Sequence, residues 1–89
     1  MTSDQDRERR LGRWLVDGRI AVYPRRTADR LALLEHVVAE VIDDDEGLGE
    51  PELNERLRAF TDDPATLRRY LVDHRLLVRS PDGAVYYLP

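Results

Sequence analysis

Thr61-Asp62-Asp63-Pro64-Ala65-Thr66-Leu67-Arg68-Arg69-Tyr70-Leu71-Val72-Asp73 decides how this chain folds. An aspartate before a proline restarts a helix. The carboxylate accepts from orphan N–H groups, and proline suits the first helical position, where no donor is needed. Leu67, Tyr70, Leu71 and His74 then lie on one side of the new helix. Upstream, Pro51 starts a helix carrying Leu53, Leu57 and Phe60. Two helices separated by so short a turn suit a helix-turn-helix. Downstream, Leu76-Leu77-Val78-Arg79 reads as a strand. Ser80-Pro81-Asp82-Gly83 is a turn with proline second and glycine fourth, and Ala84-Val85-Tyr86-Tyr87-Leu88 is the return strand.

The N-terminal half fits the same frame. Thr27 is read as the cap of a helix whose apolar stripe is Leu31, Leu34, Val38, Val41 and Ile42, widened by Leu33 and Val37. So wide an apolar face marks a central helix. Asp43-Asp44-Asp45-Glu46-Gly47 ends it as an exposed loop, because carboxylates at the negative helix end need solvent. Leu48 between glycines supplies one short strand. Before all this, residues 1–18 read as a helix capped by Ser3 and stopped at Gly18, and residues 19–26 as an extended arm ending near Pro24. The fold class predicted is α+β, mostly α. It is a winged helix-turn-helix core over 27–89, with an extra N-terminal helix and a C-terminal β-hairpin wing, in a single domain spanning 1–89.

Composition narrows the function. With 89 residues, the chain has little room for a deep catalytic cavity. It has no cysteine, which excludes thiolate metal sites and a cysteine nucleophile and points to a reducing compartment. No apolar run approaches the roughly 18 residues of a membrane span, and Met1 to Arg10 lacks the apolar segment of a secretory signal. The expectation is a cytoplasmic protein that does not engage membranes. Charge is unevenly spread. Residues 1–34 carry +3, residues 35–63 carry −9 and residues 64–89 carry +2, for a net −4.

No enzyme, cofactor or metal site is expected. The only serines are Ser3 and Ser80, and His36 and His74 stand on different helices with no nucleophile at a suggestive spacing. His74 ends a core-facing stripe, and His36 reads as solvent-facing. The acidic run is no calcium loop: counted from Asp43 or Asp44, Leu48 falls where glycine or a ligand is needed. There is no phosphate-cradling glycine loop.

The stretch from Trp14 to Tyr87 resembles a bacterial family known as domain of unknown function 2087 (DUF2087). The matching pieces are Asp17-Gly18-Arg19-Ile20 with Pro24, Arg30-Leu31-Ala32-Leu33-Leu34-Glu35 and Glu52-Leu53-Asn54-Glu55-Arg56-Leu57. Asp63 to Asp73, Arg79 and Tyr86-Tyr87 complete them. Thr66-Leu67-Arg68-Arg69-Tyr70-Leu71-Val72-Asp73 is the most specific block. Members occur alone or joined to helix-turn-helix regulators, so the resemblance implies a bacterial protein near transcription regulation. One departure is the stretch after Pro24. Family members often carry several lysines there, whereas this chain has Arg25, Arg26 and Arg30 interrupted by Asp29.

Two binding roles follow. In a winged helix the second helix of the motif enters the major groove of double-stranded DNA. Thr66, Arg68 and Arg69 then face the DNA, supported by Arg25 and Arg26. Against this, Arg69 can pair with Asp73 four residues on, and Arg68 with acids of the preceding helix. The hairpin tip has Asp82 and no cation. The alternative is a protein-interaction or dimerisation module, either a homodimer or a complex with a partner regulator. Its anchors would be Leu11, Trp14 and Leu15, unless Trp14 covers the central helix of its own chain.

Overall fold

A computed structural model describes residues 3–89, with side chains from Arg9 onward. Among the described residues the order is α1 (Ser3–Trp14), β1 (Leu15–Val16), β2 (Arg19–Ile20), α2 (Thr27–Val41) and β3 (Gly47–Gly49). It continues with α3 (Glu50–Leu57), α4 (Pro64–Asp73), β4 (Val78–Arg79) and β5 (Val85–Tyr87). The helices take up about half of the chain, and the strands form two small antiparallel sheets, so the class is α+β.

The core is built on α2, which buries Leu33, Leu34, Val37, Val38 and Val41, while Leu31 is only half-buried. Leu53 and Leu57 of α3 and Leu67 and Leu71 of α4 are fully buried against them. The helix starts differ. Asp63 caps α4 by accepting from the Thr66 amide, as its sequence demands. Thr27 caps nothing: it is the first residue of α2, and Arg26 holds the cap position without a side-chain bond. Pro51 stands in the first turn of α3. Phe60 lies beyond the end of α3, half-buried, with His36 edge-on at 6.4 Å between ring centroids. His36 is thus half-buried rather than solvent-facing.

The larger sheet has the order β3-β5-β4. Leu48 stands opposite Tyr86, and both side chains are buried. The hairpin is shorter than its apolar run suggests. Leu76 and Leu77 are not strand; both amides donate to the Leu71 carbonyl, at 2.9 and 3.2 Å. With Arg75 N–H on the Val72 carbonyl at 3.0 Å, this closes α4 in a Schellman motif. Arg75 fills the left-handed position at φ 62° that glycine usually takes.

The N-terminal region also departs from expectation. The first helix ends at Trp14, not Gly18. Asp17 and Gly18, both at positive φ, turn the chain into the β1–β2 hairpin, an Asp-Gly pairing suited to a two-residue turn. That hairpin is tied down: Ile20 donates to the Phe60 carbonyl at 2.8 Å, and Ala21 to that of Trp14 at 2.7 Å. Leu11 and Trp14 belong to the chain's own core, and Leu15 packs against it half-buried. The exposed anchor patch expected from these three residues is therefore not formed. No helix among the described residues is long and apolar enough to cross a membrane.

Candidate functional site

A groove of about 340 Å³ runs between α4 and the β4–β5 hairpin. Burial of Leu67 and Leu71 forces Ala65, Arg69 and Val72 outward onto its helical wall, because residues four and three apart share a face. Arg68 lines the same wall, and Arg79 and Tyr86 come from the sheet. Three arginines thus meet in one concavity, although they come from two separate stretches of sequence.

They are not equivalent. The Arg68 side chain is only 20% exposed. It donates to Asn54 Oδ1 and lies 3.5 Å from Glu50 Oε1, so it fastens α4 to α3. Arg69 is exposed and makes no ion pair among the described residues; the pairing with Asp73 does not form. Arg79 is exposed and equally unpaired, with its guanidinium 6.0 Å above the Tyr86 ring. Arg79 is not among the contacts expected from the sequence, because it stands at the base of the β4–β5 hairpin and not at its tip. Only the register that sets Arg79 opposite Tyr86 shows where it goes.

Two carboxylates, Glu50 and Asp73, also line the groove. Tyr86 donates its hydroxyl to Glu50 Oε1 at 2.9 Å. Burial, reinforced by that carboxylate, raises the Tyr86 phenol above its ordinary pKa. Thr66 is exposed, but its hydroxyl is already committed, donating to Asp63 Oδ2 at 2.6 Å. The bonds from Thr66 hold the Asp63 carboxyl below the usual range.

Arg25 and Arg26 are exposed and do not line the groove. The link to α4 is Arg30. Its Nη1 donates to the Pro24 carbonyl at 3.3 Å and the Arg25 carbonyl at 3.5 Å. Its Nε donates to His74 Nε2 at 3.2 Å, and its guanidinium lies 5.6 Å from the Tyr70 ring centre. Tyr23 packs on the same ring, with centroids 4.8 Å apart. The arm is thereby docked on the Tyr70–His74 side of α4.

Among the described residues no group of three or more His, Cys, Asp or Glu side chains is gathered as metal ligands would be. Glu46 is held in a forked pair by Arg56 at 2.7 and 2.8 Å, which pulls its pKa down. Arg56 also donates to the Val41 carbonyl at 2.7 Å, so this pair closes the C-terminal end of α2.

The molecule is thus an α+β protein with a groove beside α4 where three arginines meet two carboxylates. Residues 19–88 match the family described as "Uncharacterized protein conserved in bacteria (DUF2087)", and the chain belongs to that family. Neither the curated proteins nor the solved structures gave a match.

Proposed function

We propose that this chain is a winged-helix domain that binds double-stranded DNA through α4 and the β4–β5 hairpin. Three features of the architecture support the reading. The order α2-β3-α3-α4-β4-β5 is that of a winged helix, β3 lies against the returning strand of the hairpin, and α4 stands where such folds present the recognition helix. The observation that carries it is the pair Arg69 and Arg79, two exposed arginines that make no ion pair among the described residues and line one groove. Arginine forks fit both phosphates and guanine edges. Arg25 and Arg26, held near α4 by Arg30, add sequence-independent contacts. Thr66 serves chiefly as part of the helix cap.

Net charge opposes the contact, so binding is weak and depends steeply on salt. Three or four phosphate contacts give a slope of log K against log salt of about −3 to −4. Fluorescence-anisotropy titrations with duplexes from around the gene, run as a salt series, test this. Arg69→Ala should cost about 1–3 kcal/mol and relax sequence preference if Arg69 reads a base, whereas Arg25→Ala weakens all duplexes alike. Absence of binding at low salt refutes the reading.

A second reading, docking to a protein, rests on Val16 and Val22. They are 58% and 52% exposed on the N-terminal hairpin and the arm.

A further inference from the structure

We infer that Glu50 is a built-in counter-anion of the groove, which holds Arg68 away from phosphate and so limits how strongly the domain grips a polyanion. The inference rests on the nucleic-acid reading above and deepens it.

The geometry sets Glu50 apart from the other acids of its helix. Glu52 is exposed on α3 and does not line the groove. Glu50 does, and it is fixed there from two separate elements. Tyr86 of β5 donates to it at 2.9 Å, and Arg68 of α4 stands 3.5 Å away. Its side chain remains 44% exposed, so the carboxylate faces the solvent from which a ligand would come. A phosphate approaching Arg68 therefore meets a negative charge already in place. Arg68 Nη1 also donates to Asn54 Oδ1, so the guanidinium stays on the groove wall and a phosphate must come to it past Glu50. Arg69 and Arg79 are left as the two guanidiniums that the groove offers.

Removing that charge without removing the hydrogen-bond acceptor isolates the effect. Glu50→Gln keeps an oxygen for Tyr86 and Arg68 but leaves Arg68 electrostatically unopposed. The full chain, E50Q and the control E52Q are titrated with one duplex over a salt series. E50Q should bind about fivefold more tightly, the worth of one unit charge at about 4 Å in water. Its salt slope should steepen by about 0.9, the value of one added phosphate contact. E52Q should show neither change. In the E50Q background, Arg68→Gln should return the slope to that of the unmodified chain, while R68Q alone should leave that slope unchanged. In the free protein, E50Q should lower the titration of the buried tyrosine in a spectrophotometric pH series, which verifies the Tyr86 contact without DNA.

Equal effects of E50Q and E52Q would overturn the inference, as would a gain in E50Q that survives R68Q. Loss of binding in E50Q would overturn it too, because Glu50 would then be a contact and not a competitor. If no form of the protein binds duplex at low salt, the nucleic-acid reading itself fails and this inference falls with it.

Discussion

The Asp63 carboxylate takes both donors of Thr66: one oxygen accepts the backbone N–H at 3.2 Å and the other accepts the hydroxyl at 2.6 Å. One side chain thus satisfies an orphan amide at the start of α4 and takes up the one hydroxyl proton of the threonine. Asp62 beside Asp63 is fully exposed and pairs with Arg19 of β2. The restart of α4 is fastened to the N-terminal hairpin by that contact and by Arg19 Nη1 on the Arg58 carbonyl at 2.8 Å.

Acid should loosen this arrangement. Asp63, Asp82 and Glu46 all have pKa values lowered by hydrogen bonds, from Thr66, from Ser80 and from Arg56 respectively. A depressed folded pKa stabilises above the unfolded value and is lost as pH falls through the folded one. Denaturant midpoints should therefore hold steady near neutrality and fall below about pH 4, where unfolded carboxylates begin to take up protons first. Asp63→Asn, which still caps but cannot ionise, should flatten part of that fall. An acid limb of unchanged steepness in D63N would show that the Thr66 contacts do not couple to folding.

Leu71 is fully buried, and its carbonyl also accepts the amides that close α4. Leu71→Ala should cost about 2–5 kcal/mol, a large share of the stability of so small a domain. Equilibrium denaturation measures it. A loss below about 1 kcal/mol would mean that Leu71 is not buried there, because even full collapse of the cavity leaves the transfer cost of the deleted carbons.

Much of the fold was legible because local chemistry and burial agree there. Asp63-Pro64, Pro81 with Gly83, the lone Leu48 and the stripe of α2 each have one low-energy interpretation. The misreadings lie where one residue type serves two purposes. Gly18 can stop a helix or complete an Asp-Gly turn, and contacts of β2 with Phe60 and Trp14 decide for the turn. Leu76 and Leu77 look like strand, yet their amides belong to the closure of α4. The groove was half legible. Helical periodicity places Arg68 and Arg69 side by side but cannot distinguish the one anchored to Asn54 from the one left free. Arg79 enters the groove only through strand register, which no local pattern encodes.

Trp14→Ala tests where the N-terminal helix belongs. The indole is 8% exposed and lies in the same cluster as the central helix. Truncation should cost about 3–5 kcal/mol. Sedimentation should meanwhile give the same association state for the folded variant as for the unmodified chain. Dissociation of an oligomer on truncation would instead mean that the side chain is shared with a second copy.

Arg75 holds a left-handed position at φ 62°, where a side chain costs about 1–2 kcal/mol. Arg75→Gly relieves that cost but loosens the unfolded chain, which takes back about 0.4–1 kcal/mol. The net should be a gain of up to about 1.6 kcal/mol in thermal or chemical melts. A destabilised R75G would show that the arginine makes a contact worth more than the strain.

Gly83 links the turn of the β4–β5 hairpin to the groove. It sits at φ 75°, and a Cβ there would come within 2.7 Å of Arg79 Nη2 and 3.2 Å of its Cζ. The obstacle is the end of a flexible side chain, so the substituted residue evicts the guanidinium instead of breaking the backbone. Alanine would add backbone strain of about 1–2 kcal/mol, whereas asparagine tolerates the left-handed region. Gly83→Asn should therefore fold nearly as stably as the unmodified chain while moving Arg79 off the Tyr86 ring. If Arg79 contacts phosphate from its present position, G83N and Arg79→Ala should weaken duplex binding alike, and combining them should add little. The measurement is a double-mutant cycle in anisotropy titrations, with denaturation curves confirming the fold. Full binding by G83N alongside a weakened R79A would mean that the arginine reaches DNA from elsewhere, and the wall of the groove formed by the hairpin would lose its part in recognition.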